Sequence, residues 1–307
     1  MPFEIEHHYA TLNGYRMHYA SCGSPDRPLL LCLHGFPESW HCWEGVLQTL
    51  AERFHVVAPD TRGINESEGP GELQGYRVRN MVSDVAALLD HLGQQQCILA
   101  GHDWGGAIAC AFAIAHPERL RGLVIVNSTH SAIFARELRR SAAQREASAY
   151  IQFFLQDDTE ASVCADDHAY LRAMLAQNSQ TGAPPAWFDE TLQEAYRRAW
   201  SRPGSVRAGL SYYRASQYLT PSDGAAVPDE AALVVRVPTL FVWGERDGFL
   251  LTGCIDGLDQ YFTNVQVERI PEGSHWVIHE HGESVSRHIA HFAARLGTPE
   301  QTHVPAD

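Results

Sequence analysis

The segment Gly101-His102-Asp103-Trp104-Gly105 constrains this 307-residue chain more than any other. An apolar run, Cys97-Ile98-Leu99-Ala100, precedes it, and the small, helix-compatible residues Gly106-Ala107-Ile108-Ala109-Cys110-Ala111 follow. Strand, sharp turn, helix is the context of a nucleophile elbow, and the tight turn admits only small neighbours around its tip. The tip residue is expected in an unfavourable backbone conformation. Here that residue is an aspartate. With an ordinary pKa of about 3.9, a carboxylate is ionised at neutral pH and attacks without a base. It is a modest nucleophile, suited to displacement at a saturated carbon with a strained or good leaving group.

The rest of the chain supplies the sheet such an elbow needs. Strands are expected over Glu4 to Leu12 and Tyr15 to Ala20, joined by the hairpin signal Asn13-Gly14. Continuous apolar runs at Pro28 to Leu33, His55 to Ala58 and Arg121 to Val126 read as strands buried on both faces. Helical segments, Ser39 to Arg53 and Val78 to Leu92, alternate with them, which implies a mostly parallel sheet covered on both sides. From Ala132 to about Asp229 the pattern turns helical. Strands return at Pro238 to Trp243 and Val265 to Ile270, with a closing helix near Ser284 to Leu296. The expected domains are a first core part over 1–129, a helical lid over 130–229 and a second core part over 230–307. No repeat or low-complexity tract interrupts them.

Charge and composition exclude several functions. A net charge of -14 argues against a nucleic-acid partner, since phosphates are neutralised by clustered cations. The chain has no lysine, which removes Schiff-base and pyridoxal chemistry. Seven scattered cysteines without a C-x-x-C pair fit reduced thiols and a cytoplasmic protein. The start of the chain has no basic segment and no apolar core, so no secretory signal is expected. No apolar stretch approaches the roughly 20 residues that span a bilayer. No cofactor is called for. His279 and His281 lie near His275, but no matching ligand set elsewhere makes a metal site of them.

Two further residues complete a set in the chain order nucleophile, acid, histidine. Asp247 sits in Trp243-Gly244-Glu245-Arg246-Asp247, just past an expected strand, and His275 sits in Gly273-Ser274-His275-Trp276, just past the next. Loops at the carboxyl ends of parallel strands converge on one edge, which brings Asp103, Asp247 and His275 together. Glu245 is the rival acid but lies closer to the strand end. His102 reads as a packing and hydrogen-bonding residue. The segment His34-Gly35-Phe36-Pro37-Glu38-Ser39-Trp40 follows a buried strand, where the backbone N–H of Phe36, with that of Trp104, would form an oxyanion hole.

His34 to Trp40, Gly101 to Gly106 and Asp60-Thr61-Arg62-Gly63 together resemble the motifs of soluble epoxide hydrolases of the α/β-hydrolase superfamily. The resemblance runs over nearly all of the chain and is weaker in the lid. It implies the α/β-hydrolase fold, a mostly parallel sheet flanked by helices with an inserted helical lid. It also implies conversion of an epoxide to a vicinal diol through an ester on Asp103. Family members use two lid tyrosines to bind and protonate the epoxide oxygen. Ala149-Tyr150-Ile151-Gln152-Phe153-Phe154 and Ser211-Tyr212-Tyr213-Arg214 match those segments and point to Tyr150 and Tyr213, although asparagine often stands where Ser211 does. Tyr170, Tyr196 and Tyr218 read as packing or surface residues. The implied partners are a small hydrophobic epoxide and water, with no nucleic acid and no membrane span; a homo-oligomer stays open. Haloalkane or haloacid dehalogenases share the aspartate nucleophile and are the alternative. Haloalkane dehalogenases usually carry a polar residue at the position of Phe36 and lack the tyrosine pair, whereas fluoroacetate dehalogenases are similar at His34-Gly35-Phe36-Pro37 but have arginine in place of Trp104. A binding protein that has lost its chemistry is the reading from another class. It commonly lacks one of these groups, and none is missing here.

Overall fold

The computed structural model describes residues 3–176, 184–216, 219 and 230–297. Its centre is an eight-stranded sheet: β1 (Glu6–Leu12), β2 (Tyr15–Cys22), β3 (Leu29–Leu33), β4 (His55–Pro59), β5 (Cys97–His102), β6 (Leu120–Val126), β7 (Thr239–Gly244) and β8 (Val265–Ile270). The spatial order is β1-β2-β4-β3-β5-β6-β7-β8. Pairing from β4 through β3, β5, β6 and β7 to β8 is parallel, and β1-β2 and β2-β4 are antiparallel. Every residue of β3, β4, β5 and β7 is buried, as the unbroken apolar runs demand of strands covered on both faces. The hairpin turns at Asn13 (φ 51°) and Gly14 (φ 92°), the left-handed pair an Asn-Gly turn provides.

Helices α1 (Glu44–Leu50), α2 (Val78–His91) and α3 (Trp104–Ala115) follow β3, β4 and β5. Between β6 and β7 run α4 (Ser131–Arg140), α5 (Ala142–Ala147), α6 (Ala149–Phe154), α7 (Thr159–Leu175, broken at Ala165 to His168), α8 (Glu190–Trp200) and α9 (Ser205–Arg214). Helices α10 (Val277–Glu280) and α11 (Gly282–Arg295) close the chain. Two departures from the sequence reading stand out. The segment expected as one helix over Ser39 to Arg53 begins as a 3₁₀ turn at Trp40–Trp43 and becomes α-helical at Glu44. Strand β2 continues to Cys22, because its end pairs with Val56 and Val57 of β4. Tyr218 and the residues beyond 297 lie outside the described residues.

Apolar side chains cover both faces of the sheet in two clusters, and a third lies beneath the helices that separate β6 from β7. That third cluster joins Phe36, Ile151, Phe154, Tyr213, Phe249 and Trp276, so those helices pack on the loops at the carboxyl ends of the strands. No helix among the described residues is long and apolar enough to cross a membrane.

Candidate active site

Asp103 stands between β5 and α3 with φ 50° and ψ -120°, a left-handed conformation that costs a non-glycine residue of order 1–3 kcal/mol. Surrounding contacts hold it there. A Cβ on Gly105 would lie 2.1 Å from the Leu33 carbonyl oxygen, and one on Gly35 would lie 2.3 Å from Asp103 Oδ1. Glycine at these two positions lets the elbow and the loop after β3 close on each other. The Phe36 N–H donates to Asp103 Oδ1 at 2.9 Å. Trp104 opens α3, so its N–H is among the helix's N-terminal donors with no intrahelical acceptor.

His275 and Asp247 come from the loops after β8 and β7, at the same sheet edge. His275 Nδ1 donates to Asp247 Oδ2 at 2.7 Å, and its Nε2 lies 3.7 Å from Asp103 Oδ2, an ion-pair rather than a hydrogen-bond distance. Asp247 also accepts from the N–H groups of Phe249 and Leu250 at 2.8 and 2.9 Å and from Asn127 Nδ2 at 2.7 Å. Burial pushes the Asp247 carboxyl up, but the His275 charge and these donors override it and hold it below its ordinary value. Burial lowers His275, whereas the carboxylates of Asp247 and Asp103 raise it, to about 10. Glu245, the rival acid, turns outward to Arg269 at 2.9 Å.

The two tyrosines reach the same cavity. Tyr150 on α6 and Tyr213 on α9 line a hollow of about 290 Å³ together with Asp103 and Trp104. Their rings meet edge to face at 6.1 Å, and Tyr213 meets the Trp104 indole at 5.0 Å. Burial raises both phenols, and the Asp103 charge raises them further, so both keep their protons at neutral pH. The neighbouring Tyr212 is turned away and donates to Thr61 Oγ1 and the Arg62 carbonyl. Beyond the tyrosines the hollow follows Ala107, Cys110, Ala111 and Ile114, one face of α3, over about 10 Å of helix.

Sequence reasoning missed three participants. Asn127, just past β6 with φ 35°, bridges the Gly244 backbone to Asp247. Glu38, fully buried, accepts from His102, His279 and Tyr196. Tyr196, read as a packing or surface residue, is buried and polar-bonded through that contact. The signal for Glu38 was a carboxylate inside an otherwise apolar segment. Among the described residues no group of three or more His, Cys, Asp or Glu is arranged to hold a metal ion.

Comparison with known proteins gives a consistent set of similarities. A family model described as alpha/beta hydrolase fold matches residues 28–282. The chain is 32% identical to Epoxide hydrolase 4 of Mus musculus over 268 residues, covering 86% of this chain and 72% of that protein. It is 38% identical to the soluble epoxide hydrolase of Corynebacterium sp. (strain C12) over 214 residues, 69% of this chain and 73% of that protein. A crystal structure of a Bacillus megaterium epoxide hydrolase in complex with an inhibitor aligns with a TM-score of 0.85 at 32% identity, covering 94% of this chain and 100% of that one.

Proposed function

We propose that this chain, which belongs to the epoxide hydrolases of the α/β-hydrolase superfamily, converts an apolar epoxide to a vicinal diol through a covalent ester on Asp103. The observation that carries the reading is that Tyr150 and Tyr213 line the same cavity as the Asp103 carboxylate. In the first step Asp103 Oδ2 attacks a ring carbon, the C–O bond breaks, and the electron pair goes to the ring oxygen. A phenol still protonated at neutral pH donates to that oxygen as charge develops. Held between phenols and carboxylate, the ring is placed for in-line displacement.

The second step is hydrolysis of the ester. His275 takes a proton from water, the hydroxide adds to the ester carbonyl, and the oxyanion is held by the N–H groups of Phe36 and Trp104. Collapse expels the alkoxide, which takes the proton held by His275 and leaves as the diol, and the Asp103 carboxyl then passes its own proton to the imidazole and returns to a carboxylate. Electrostatics time the base. Flanked by two carboxylates, His275 stays protonated at neutral pH while Asp103 is free. Esterification removes one of those charges, so His275 gives up its proton, which neutralises the phenolate left by ring opening, and the neutral imidazole can then take a proton from water. Asp247 keeps the ring oriented and balances its charge, and Asn127 holds Asp247.

The helices between β6 and β7 serve as the lid in this reading, carrying both tyrosines over the sheet edge and excluding water from the first step. The hollow along α3 favours a substrate with an apolar arm. The seven unpaired cysteines support a reducing, cytoplasmic setting. A paired assay tests the function. A panel of aliphatic and aryl epoxides is scored for diol, and matched haloalkanes and haloacids are scored for free halide. Diol formation without halide release is expected. Halide release without diol would transfer the aspartate nucleophile to dehalogenation.

A further inference from the structure

We propose that Arg77 and Arg79 bind a carboxylate carried by the substrate, so that this chain acts on epoxides whose apolar arm ends in an acid group. The proposal rests on the reading of Asp103 as the nucleophile that opens the ring, and it names the substrate class of that site. Arg77 and Arg79 line the same hollow as Asp103, Tyr150 and Tyr213. Arg77 is half-buried there and Arg79 is exposed.

Nothing among the described residues neutralises these two cations. Arg62, in the loop between β4 and α2, is the contrast, since its guanidinium is gripped by both oxygens of Asp84 at 2.7 and 2.6 Å. Neither Arg77 nor Arg79 has a carboxylate, carbonyl or ring partner of that kind among the described residues. Of the described residues that line the hollow, only Asp103 and these two arginines are charged. His130 is neutral, because its Nε2 donates to the Leu233 carbonyl while its Nδ1 accepts from the Ala132 N–H, and burial lowers it to about 4. Helix stability does not explain the arginines either. Arg77 immediately precedes α2 and Arg79 is its second residue, with no acidic residue in the first turn. Cations at that end oppose the helix dipole, so they cost α2 stability instead of adding to it.

The field in the hollow sorts and orients what enters. A chain of net charge -14 repels anions, and two unneutralised guanidinium groups give an acid a local point of entry. Each guanidinium presents paired N–H donors that match the two oxygens of a carboxylate. Asp103 repels the same group. The acid therefore settles at the arginines and the epoxide ring at Asp103 and the tyrosines, with the apolar arm on the wall formed by Ala107, Ala111 and Ile114. Arg77 and Arg79 are specificity residues in this arrangement and take no part in bond making.

Calorimetric titration of the full-length protein with undecanoate and with undecanamide needs no turnover and tests the subsite by itself. Wild type is expected to bind the acid about tenfold more tightly than the amide at low salt, with the preference shrinking as salt rises. The double variant Arg77→Gln, Arg79→Gln should lose that preference, and Arg77→Lys, Arg79→Lys should keep part of it. Equal binding of acid and amide by wild type, or a full preference in the folded glutamine variant, overturns the proposal even if the protein makes diol from neutral epoxides. The wild-type comparison decides where a variant fails to fold. Turnover gives a second reading. The ratio of kcat/KM for epoxyundecanoate to that for its methyl ester should be about tenfold in wild type and fall toward unity in the glutamine variant. A wild-type ratio at or below unity overturns the proposal. Acid-selective binding without diol from any epoxide would place the failure in the reading of Asp103 and not in the arginines.

Discussion

Replacing a serine by Asp103 at an elbow moves the hardest proton transfer from the nucleophile to the leaving oxygen. In the proposed mechanism the burden falls on Tyr150 and Tyr213, whose phenols must stay protonated in a buried hollow and yet surrender a proton to an alkoxide. Tyr213→Phe is therefore expected to slow ring opening by roughly 10²-fold and to leave the hydrolysis of preformed ester nearly unchanged. Rapid-mixing single turnover separates the two steps. Slower ester hydrolysis with unaltered ring opening would take Tyr213 out of its role. Tyr212→Phe, which loses bonds to Thr61 and Arg62, should touch stability instead. At this scale the sequence pointed to Asp103, Asp247, His275 and both tyrosines as candidates, because each lies in a short motif or follows a recognisable strand, and the structure brings these side chains together. Glu38 was not legible as a hub. Its partners His102, Tyr196 and His279 come from three distant segments, and nothing in a linear pattern reports that they meet.

Among the elements, the loop–strand–elbow assembly of β3, β5 and α3 is the most exacting. Gly105 packs against Leu33 so closely that even a methyl group has no space, and the listening partner is backbone rather than a flexible side chain. Gly105→Ala is expected to destabilise the fold by more than about 4 kcal/mol, as strain and overpacking at one site can do. Thermal unfolding of the purified variant checks it; a melting temperature within a few degrees of wild type contradicts the packing argument. The strands themselves were legible for the same physical reason. Runs such as Leu29 to Leu33 and Cys97 to Ala100 are apolar on both faces, as only a covered parallel strand permits. The helices between β6 and β7 were legible as a class but not one by one. Their boundaries depend on contacts with Phe36, Phe249 and Trp276 from the core, which no local pattern encodes.

The whole molecule joins two halves of one sheet around an inserted helical layer, and the proposed reaction centre lies where the two meet. Phe36, Asp103, Asp247 and His275 come from four loops spread over most of the chain, while Tyr150 and Tyr213 descend from the layer above. The proposed mechanism makes a chemical demand on the molecule as a unit: the oxygen added to the epoxide would come from the protein, and water would repair the protein. A single turnover in oxygen-18 water, with enzyme in excess and both the diol and the Asp103 peptide analysed by mass, measures this directly. The account predicts ordinary oxygen in the first diol and oxygen-18 in the Asp103 carboxylate. Oxygen-18 in the diol with none in Asp103 would mean that water attacks the epoxide itself, and the covalent mechanism would be wrong.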